Sequence, residues 1–390
     1  MGNSRPRYYS AMSPLNAPKD PNLLKNVEKF PSGRGYPTER LPTLKLKNEV
    51  IWTNQNKNLK SPFHLKKSQK DVDLGIFLKT NEYTTSEGDH ALGVRWSHGR
   101  SADIGKVFFR DLSRPDLVYR DIDIKGAGYV TGSISPLGER LISKQWGPRK
   151  SEFGEYLGLL NKKAALHDSV MSEILTQKGV RTHRSLAVIK LHELPVLKDG
   201  KLEITSVDEL LKNRLLRPDF EPVIQVRAYG IKARLADFLL QNASMNMNNN
   251  RMQGDMENNI KNEINDAISL IQYETRGSVK DALDYLRWFA ITLGNNIRLL
   301  RTSGYAHGYA NSQNITLDCC LVDLDSVSTT NQQHVDEKSL DYLDAAKALK
   351  HFCADILSLY GHESSGEFST RFKKELDEIY RAAFHSNLHR

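Results

Sequence analysis

The sequence has few cysteines: three in 390 residues, two of them the adjacent Cys319 and Cys320. That number and spacing exclude a disulfide framework and do not match a zinc or redox motif, so a reducing, cytoplasmic setting is expected. Long apolar runs are also missing. No stretch approaches the roughly 18 consecutive apolar residues of a membrane helix, and no membrane partner is expected. The opening segment, MGNSRPRYYSAMSPLNAPKD, has no apolar centre of the kind a secretory signal needs. Pro6 breaks the myristoylation pattern that Met-Gly would begin. Basic residues are spread along the chain and no interleaving of basic and aromatic residues stands out, which disfavours nucleic acid as a partner.

What is present suits a folded, mixed protein. Hydrophobic residues make up 39% and charged residues 26%, enough for a sizeable core. The net charge of +8 favours anionic partners such as nucleotides or acidic protein surfaces. Residues 1–70 are rich in Pro, Lys and Asn with weak periodicity, and read as an irregular basic arm. From 71 to 226 short β-type runs dominate: "DLGIFLKT", "GKVFFRDL", "LVYRDIDIKGAG", "SLAVIKLHEL" and "PVIQVRAYG". Among them, residues 157–178 carry helical apolar spacing and stop before Gly179, a fitting C-cap. From 227 to 390 helical patterns take over: "NDAISLIQYE", "KDALDYLRWFAITLGNNIRLLRTSG", "SLDYLDAAKALKHFCADILSLYG" and "EFSTRFKKELDEIYRAAFH". The Asn/Met-rich "SMNMNNNRMQGDMENN" reads as a surface loop. The expectation is an α+β fold in two lobes. The β-rich N-lobe has one main helix, the helical C-lobe contains a β-hairpin, and a cleft lies between them.

The hairpin is the candidate site. "HGYANSQNITLDCCLVDLD" places amides ahead of an apolar run that ends in carboxylates. With Asp318 and Cys319 at the turn, or a four-residue loop over 317–320, Ile315 faces Val322 and Asn314 faces Asp323. Directly opposed residues have Cβ atoms roughly 4.5–5.5 Å apart. An amide oxygen and a carboxylate at that separation suit one hard cation, and Mg²⁺ commonly takes only one or two protein oxygens. Simple capping of a hairpin by Asn and Asp is the competing reading. In "DIDIKGAG", Lys125 lies at a strand end on the face opposite Ile122 and Ile124, followed by Gly126 and Gly128. It suits a nucleotide phosphate, although taken alone a solvated strand end is the more common reading. Asp168 and Glu173 in the following helix are candidates to orient it. Arg100, Arg227 and Arg234 are candidate phosphate-binding arginines.

These segments, in this order, resemble the selenoprotein O family, protein adenylyltransferases with a protein-kinase-like fold. The family pattern runs Gly-Asp-Gly-Arg, then Leu-Lys-Gly-Ala-Gly, then a helix whose glutamate pairs with the lysine. A strand with two Arg seven apart follows, then His-Gly-Val-Met-Asn-Thr-Asp-Asn, with an Asp nine residues after the last Asn. The matching segments are "SHGRSA", "IKGAG", "HDSVMSEILTQKGVRTHRSL", "VRAYGIKAR", "HGYANSQN" and "VDLD", over roughly residues 90–330. The resemblance implies ATP and Mg²⁺ as cofactors and AMP transfer to Ser, Thr or Tyr hydroxyls of a protein partner. It assigns Lys125, beside Gly126, with Arg100, Arg227 and Arg234 to the nucleotide phosphates, and Asn314 and Asp323 to Mg²⁺.

Two departures stand out. Asp168 takes the place of the helix glutamate, one methylene shorter, with Glu173 one turn on. Gln313 takes the place of the Asp that would accept the hydroxyl proton, and an amide is no general base. Asp318, Asp325 and His307 are the nearby groups that could replace it. Three expectations therefore stand together: an adenylyltransferase, a nucleotide-binding pseudokinase acting through protein partners, and a kinase transferring the γ-phosphoryl group.

Overall fold

The computed structural model describes residues 39–61, 63–72, 77–78, 91–94, 101–128, 142–143, 158–198, 201–237, 250–330, 336–362 and 366–386. Arg100 lies outside them. The protein is mixed α+β and divides by internal contacts into two units, one containing 37–169 and 184–228, the other 170–183 and 229–390.

The first unit is built on a mostly antiparallel sheet. Its strands are β1 (Glu39–Leu44), β2 (Asn48–Thr53), β3 (Phe77–Leu78), β4 (Ala91–Val94), β5 (Ser101–Asp111), β6 (Arg114–Lys125), β8 (Leu160–Asn161), β9 (Arg184–Leu191) and β12 (Pro222–Tyr229). They lie in the order β2-β9-β12-β6-β5-β4-β1-β3, with β8 beside β12. A smaller sheet pairs β10 (Glu193–Lys198) with β11 (Lys201–Ser206) and with the two-residue β7 (Ile142–Ser143). β9 and β12, each with neighbours on both sides, are buried almost throughout. Most of their apolar side chains join Phe109, Tyr119, Ile122 and Ile124 in one core, while Val188 and Val223 pack with Leu160 and Ala165 in another cluster.

Two expectations change here. The arm assigned to residues 1–70 is not irregular throughout, because β1 and β2 belong to the main sheet. β2 pairs antiparallel with β9 from Asn48↔Leu191 to Thr53↔Ala187, with a register shift between Val50 and Trp52. Its polar residues sit beside buried Val50, so the basic composition hid an alternating strand. Helix α1 (Lys162–Gln177) starts later than its apolar pattern, since Leu160 and Asn161 pair with β12 instead.

The second unit is helical. Beyond the short α2 (Val207–Lys212) of the first unit come α3 (Asn250–Glu274), α4 (Ala282–Thr302), α5 (Leu340–Leu359) and α6 (Gly366–His385). The Asn/Met-rich segment is not a loop over 250–259 but the first turns of α3. Buried Ile260, Ile264, Ala267, Ile268 and Ile271 line one face of that helix. Extending an existing helix adds one hydrogen bond per residue fixed, so even a polar segment propagates from such a packed stripe. α4 begins where the Asp281 carboxylate accepts from the backbone N–H of Leu283 and Asp284. Phe289 of α4 meets Phe352 of α5 with ring centroids 5.1 Å apart, and Tyr342 of α5 packs on Tyr380 and Phe384 of α6 at 5.0 and 4.6 Å.

α4 and α6 approach so closely that a Cβ on Gly294 would lie 2.6 Å from the Tyr380 carbonyl oxygen and 2.9 Å from the Ala383 Cβ. Ala is favoured over Gly within a helix by about 1 kcal/mol. The overlap with backbone costs more, about 1–3 kcal/mol. Gly294→Ala is therefore expected to lower the urea midpoint of unfolding, and an unchanged or raised midpoint would show that the two helices separate at no cost.

Candidate functional site

In the second unit the hairpin forms, but one residue away from the expected register. Ile315 bridges Leu321, Thr316 N–H donates to Cys320 O at 3.0 Å, and Val322 N–H donates to Asn314 O at 3.0 Å. Asn314 thus faces Val322, not Asp323. The cause is the loop. Cys319 N–H donates to Thr316 O at 2.8 Å and Cys319 itself is left-handed, φ 61°. This is a three-residue loop, Leu317 to Cys319, closed by a turn and a left-handed residue, a position usually filled by Gly. The neighbours hold it. Asn296 Nδ2 donates to Cys319 O at 2.8 Å, and Tyr285 Oη donates to Leu317 O at 2.5 Å.

A pleated continuation would then send Asn314 and Asp323 to opposite faces. Asp323 is not pleated: at φ 58°, ψ 53° it is left-handed and opens the 3-10 turn Leu324–Ser326. Its carboxylate Oδ2 accepts from Arg234 Nη1 at 2.9 Å, and Asn314 Oδ1 lies 3.5 Å from the same nitrogen. The two oxygens that the sequence put forward do converge on one cationic group, by backbone strain rather than by register. Non-glycine residues held left-handed concentrate at functional sites. Asn314 Nδ2 donates to Tyr309 O at 2.9 Å, which turns its amide oxygen toward Arg234. Arg234 Nη1 also donates to Gln313 O at 2.7 Å. The Gln313 side chain is exposed.

The loop before the hairpin is clamped from α5. Asp341 accepts from His307 N–H at 2.9 Å and from Gly308 N–H at 2.8 Å. The buried His307 ring places Nε2 2.8 Å from Val322 O, so the ring is tied to the strand that leads into Asp323. Of the groups considered as replacements for the missing base, His307 is thus engaged in holding the hairpin. Asp318 is buried at the hairpin tip. Its carboxylate accepts from Thr316 Oγ1 and from the Cys320 thiol, the latter at 3.3 Å. Asp325 is half-buried in the 3-10 turn.

Beneath the tip lies a buried ionic cluster. Arg181 Nε donates to the Asp318 carbonyl oxygen, and its Nη2 lies 2.7 Å from Glu274 and 3.5 Å from the Asp318 carboxylate. Its guanidinium sits over the Trp288 ring, 5.4 Å from the centroid. Burial alone would favour loss of its proton, but Glu274 and Asp318 outweigh that and hold the charge more firmly than in an ordinary arginine. Burial, reinforced by Asp318, pushes the Cys319 and Cys320 thiols well up, so both stay neutral. The backbone next to Arg181 runs along the hairpin: Leu321 N–H donates to Arg181 O at 3.0 Å, and Thr182 Oγ1 to Leu321 O at 2.8 Å.

In the first unit, Lys125 ends β6 and is buried, 3% exposed, opposite Ser101 of β5. The chain then turns at Gly126, φ 93°, where a Cβ would stand 2.5 Å from Val223 O. Only glycine lets the lysine strand end against β12 in this way. Asp168 is fully buried on α1. Its Oδ1 accepts from Gln225 Nε2 of β12 at 2.6 Å, and Ser185 Oγ is 3.5 Å away. Glu173 is half-buried on the part of α1 that groups with the second unit.

Arg227 departs from the phosphate role expected of it. It is fully buried, its Nε and Nη2 donate to the two Asp123 oxygens at 3.0 and 2.8 Å, and Nη2 donates to Ser101 Oγ at 3.1 Å. The pairing of β12 with β9 shifts register between Val226 and Arg227. The guanidinium expected to meet a phosphate is thus engaged in a buried ion pair with Asp123. No protein-family model matches the chain, and no curated protein matches it.

Sequence reasoning missed Arg181, Asp341 and Glu274. Nothing local marks them out within the segments that contain them, and their partners are 137, 34 and 93 residues distant along the chain. Arg181→Met leaves Glu274 and Asp318 buried without their cation, and breaking such a group costs about 3–5 kcal/mol. Chemical denaturation is expected to show a loss of this size. A loss below about 1 kcal/mol would mean that water reaches the cluster.

Proposed function

We propose that the chain binds ATP with Mg²⁺ and transfers AMP to hydroxyl groups of proteins on a kinase-like scaffold. The observation that carries this reading is the convergence of Asn314 Oδ1 and Asp323 Oδ2 on the position of one cation. One amide oxygen and one carboxylate are the small protein ligand set that Mg²⁺ uses when phosphates and water complete its shell. The donors therefore fit the metal that the family resemblance implies. Held by Asn314 and Asp323, Mg²⁺ would neutralise charge that builds up on the phosphates.

In this reading Asn314 and Asp323 hold the metal, while His307 and Asp341 keep the hairpin from shifting. Arg234 turns to a phosphate, for which its planar fork is suited. The resemblance adds Lys125 as the phosphate lysine, with Asp168 orienting it through its place against β12. The acceptor hydroxyl oxygen bonds to the α-phosphorus, the bond from that phosphorus to pyrophosphate breaks, and the hydroxyl proton leaves to solvent or a neighbouring carboxylate. Positioning and charge neutralisation dominate such transfers. Loss of the base at Gln313 costs rate, about 10²–10⁴-fold by the usual contribution of proton transfer, without removing binding.

The exposed amide of Gln313 favours a second reading, a nucleotide-binding pseudoenzyme. Incubation with Mg²⁺ and ATP labelled at the α- or the γ-phosphate separates the readings. Protein labelled only from the α-position is the result expected. Label only from the γ-position means kinase chemistry, and no label with ATP still raising the melting temperature means the pseudoenzyme.

Two variants test the roles by calorimetric titration. Asp323→Ala is expected to weaken Mg²⁺-dependent ATP binding at least tenfold, and unchanged affinity would contradict the metal role. Lys125→Ala is expected to weaken ATP binding while the protein stays folded by circular dichroism; unfolding would make the lysine structural instead.

A further inference from the structure

We propose that a lysine-rich cover on the first unit, residues 45–72, is a docking surface for anionic lipid membranes. This surface lies outside the hairpin, and the inference does not rest on the Mg²⁺-ATP reading.

From Lys45 to Val72 the chain holds seven lysines, no arginine and two carboxylates, Glu49 and Asp71. The fold turns this stretch into a cover. Leu46, Leu59, Leu65 and Val72 are all buried in one apolar core. Backbone bonds fix the chain between these anchors. Val50 N–H donates to Gln69 O at 2.8 Å, and Asp71 N–H to Asn48 O at 2.9 Å. Lys60 N–H donates to Arg110 O and Leu112 N–H to Asn58 O, both at 2.9 Å. With the anchors facing inward, all seven lysines are exposed. Among the described residues, Lys47 alone of the seven has a carboxylate within 4 Å, Glu193 at 3.9 Å. Glu49 lies beside His192 instead, 3.7 Å away.

The residue types select the partner. Nucleic-acid surfaces stack bases on aromatic rings or read them with arginine forks. The aromatics of this segment, Trp52 and Phe63, are half-buried and packed on the cores beneath. Protein interfaces favour arginine and are depleted of lysine. Lysine is a strongly hydrated point charge, suited to attraction that needs no fixed partner geometry. An anionic bilayer is such a partner, and each lysine held near it strengthens binding about fivefold. Leu112, in the turn between β5 and β6, is 57% exposed and bonded to Asn58, next to Lys57. An apolar side chain among lysines enters the headgroup boundary, where its burial adds to the charge attraction. Docking of this kind needs no membrane-crossing helix, and no helix among the described residues is long and apolar enough to be one.

The test is flotation of the full chain with vesicles of phosphatidylcholine, alone or with about 30% phosphatidylserine, in a KCl series. The chain is expected to float with the anionic vesicles and not with the neutral ones. Raising KCl from about 0.1 M to about 0.5 M is expected to release it, because salt shortens the reach of charge. Lys66→Gln with Lys67→Gln and Lys70→Gln is expected to lower the partition coefficient about 100-fold at an unchanged melting temperature. Leu112→Ser is expected to lower it about fivefold. Lys347→Gln with Lys350→Gln and Lys374→Gln, exposed lysines of the second unit, is expected to leave it unchanged. Equal losses in the two triple variants would mean attraction by net charge alone and would overturn the proposal. Failure of the wild type to float with anionic vesicles would overturn it without any variant. Retention of a labelled single-stranded RNA in that case, lost in the first triple variant, would make the cover a nucleic-acid surface instead.

Discussion

The hairpin that carries Asn314 and Asp323 depends on a buried cation, the guanidinium of Arg181. It bonds the carbonyl at the hairpin tip, pairs with Glu274 and Asp318, and is covered by Trp288. Around it, Asn296 accepts from Arg181 N–H at 2.9 Å and donates to Cys319 O at 2.8 Å, so one amide spans the segment after α1 and the tip. A charge in such a place is costly unless fully paired, and a fully paired one admits few alternative arrangements. That is how a loop closed by a left-handed cysteine, a residue with no intrinsic preference for that conformation, holds a single shape. The register of the strands follows from the loop, and the left-handed backbone of Asp323 then turns its carboxylate toward the Arg234 nitrogen that Asn314 also faces.

The first unit solves a similar problem with two fully buried pairs. Arg227 meets Asp123, and Arg184 meets Asp111, which also caps the β5–β6 turn through Ser113 at 2.8 Å. Both arginines lie on β9 or β12, two of the strands with neighbours on each side. Charges there fix which strands stand beside each other, because a slipped strand would strand an ion in the core. Lys125 and Asp168 are positioned within this frame, the lysine by the glycine turn against β12 and the carboxylate by Gln225 of the same strand.

Much of this was legible in the sequence where the signal is local. The apolar stripes of α4, α5 and α6 predicted those helices to within about two residues, and the β-type runs gave β5, β6, β9 and β12. The convergence of Asn314 and Asp323 was also legible, although for the wrong reason. A two-residue or four-residue turn was expected, and the actual three-residue loop shifts every pair by one. What restored the meeting of the two side chains was the left-handed backbone at Asp323, which no residue type announced. β1 and β2 were hidden by Pro, Lys and Asn, whose composition says loop while β2 alternates beside the sheet. The first turns of α3 were hidden by asparagine. That Arg227 is enclosed beside Asp123 was not legible, because a strand's sequence shows its alternation but not whether both faces are covered. The Arg181 cluster could not be read at all, since its members meet only after the chain has folded.

The account turns on where a divalent cation sits. Fe²⁺ replacing Mg²⁺, with ATP present and hydrogen peroxide and ascorbate added, reduces the peroxide to hydroxyl radicals that cut the backbone beside the metal, and mass spectrometry locates the cuts. Cleavage next to Asn314 and Asp323 that requires ATP is the predicted result. Cleavage confined to other segments, or the same pattern in Asp323→Ala, would contradict it.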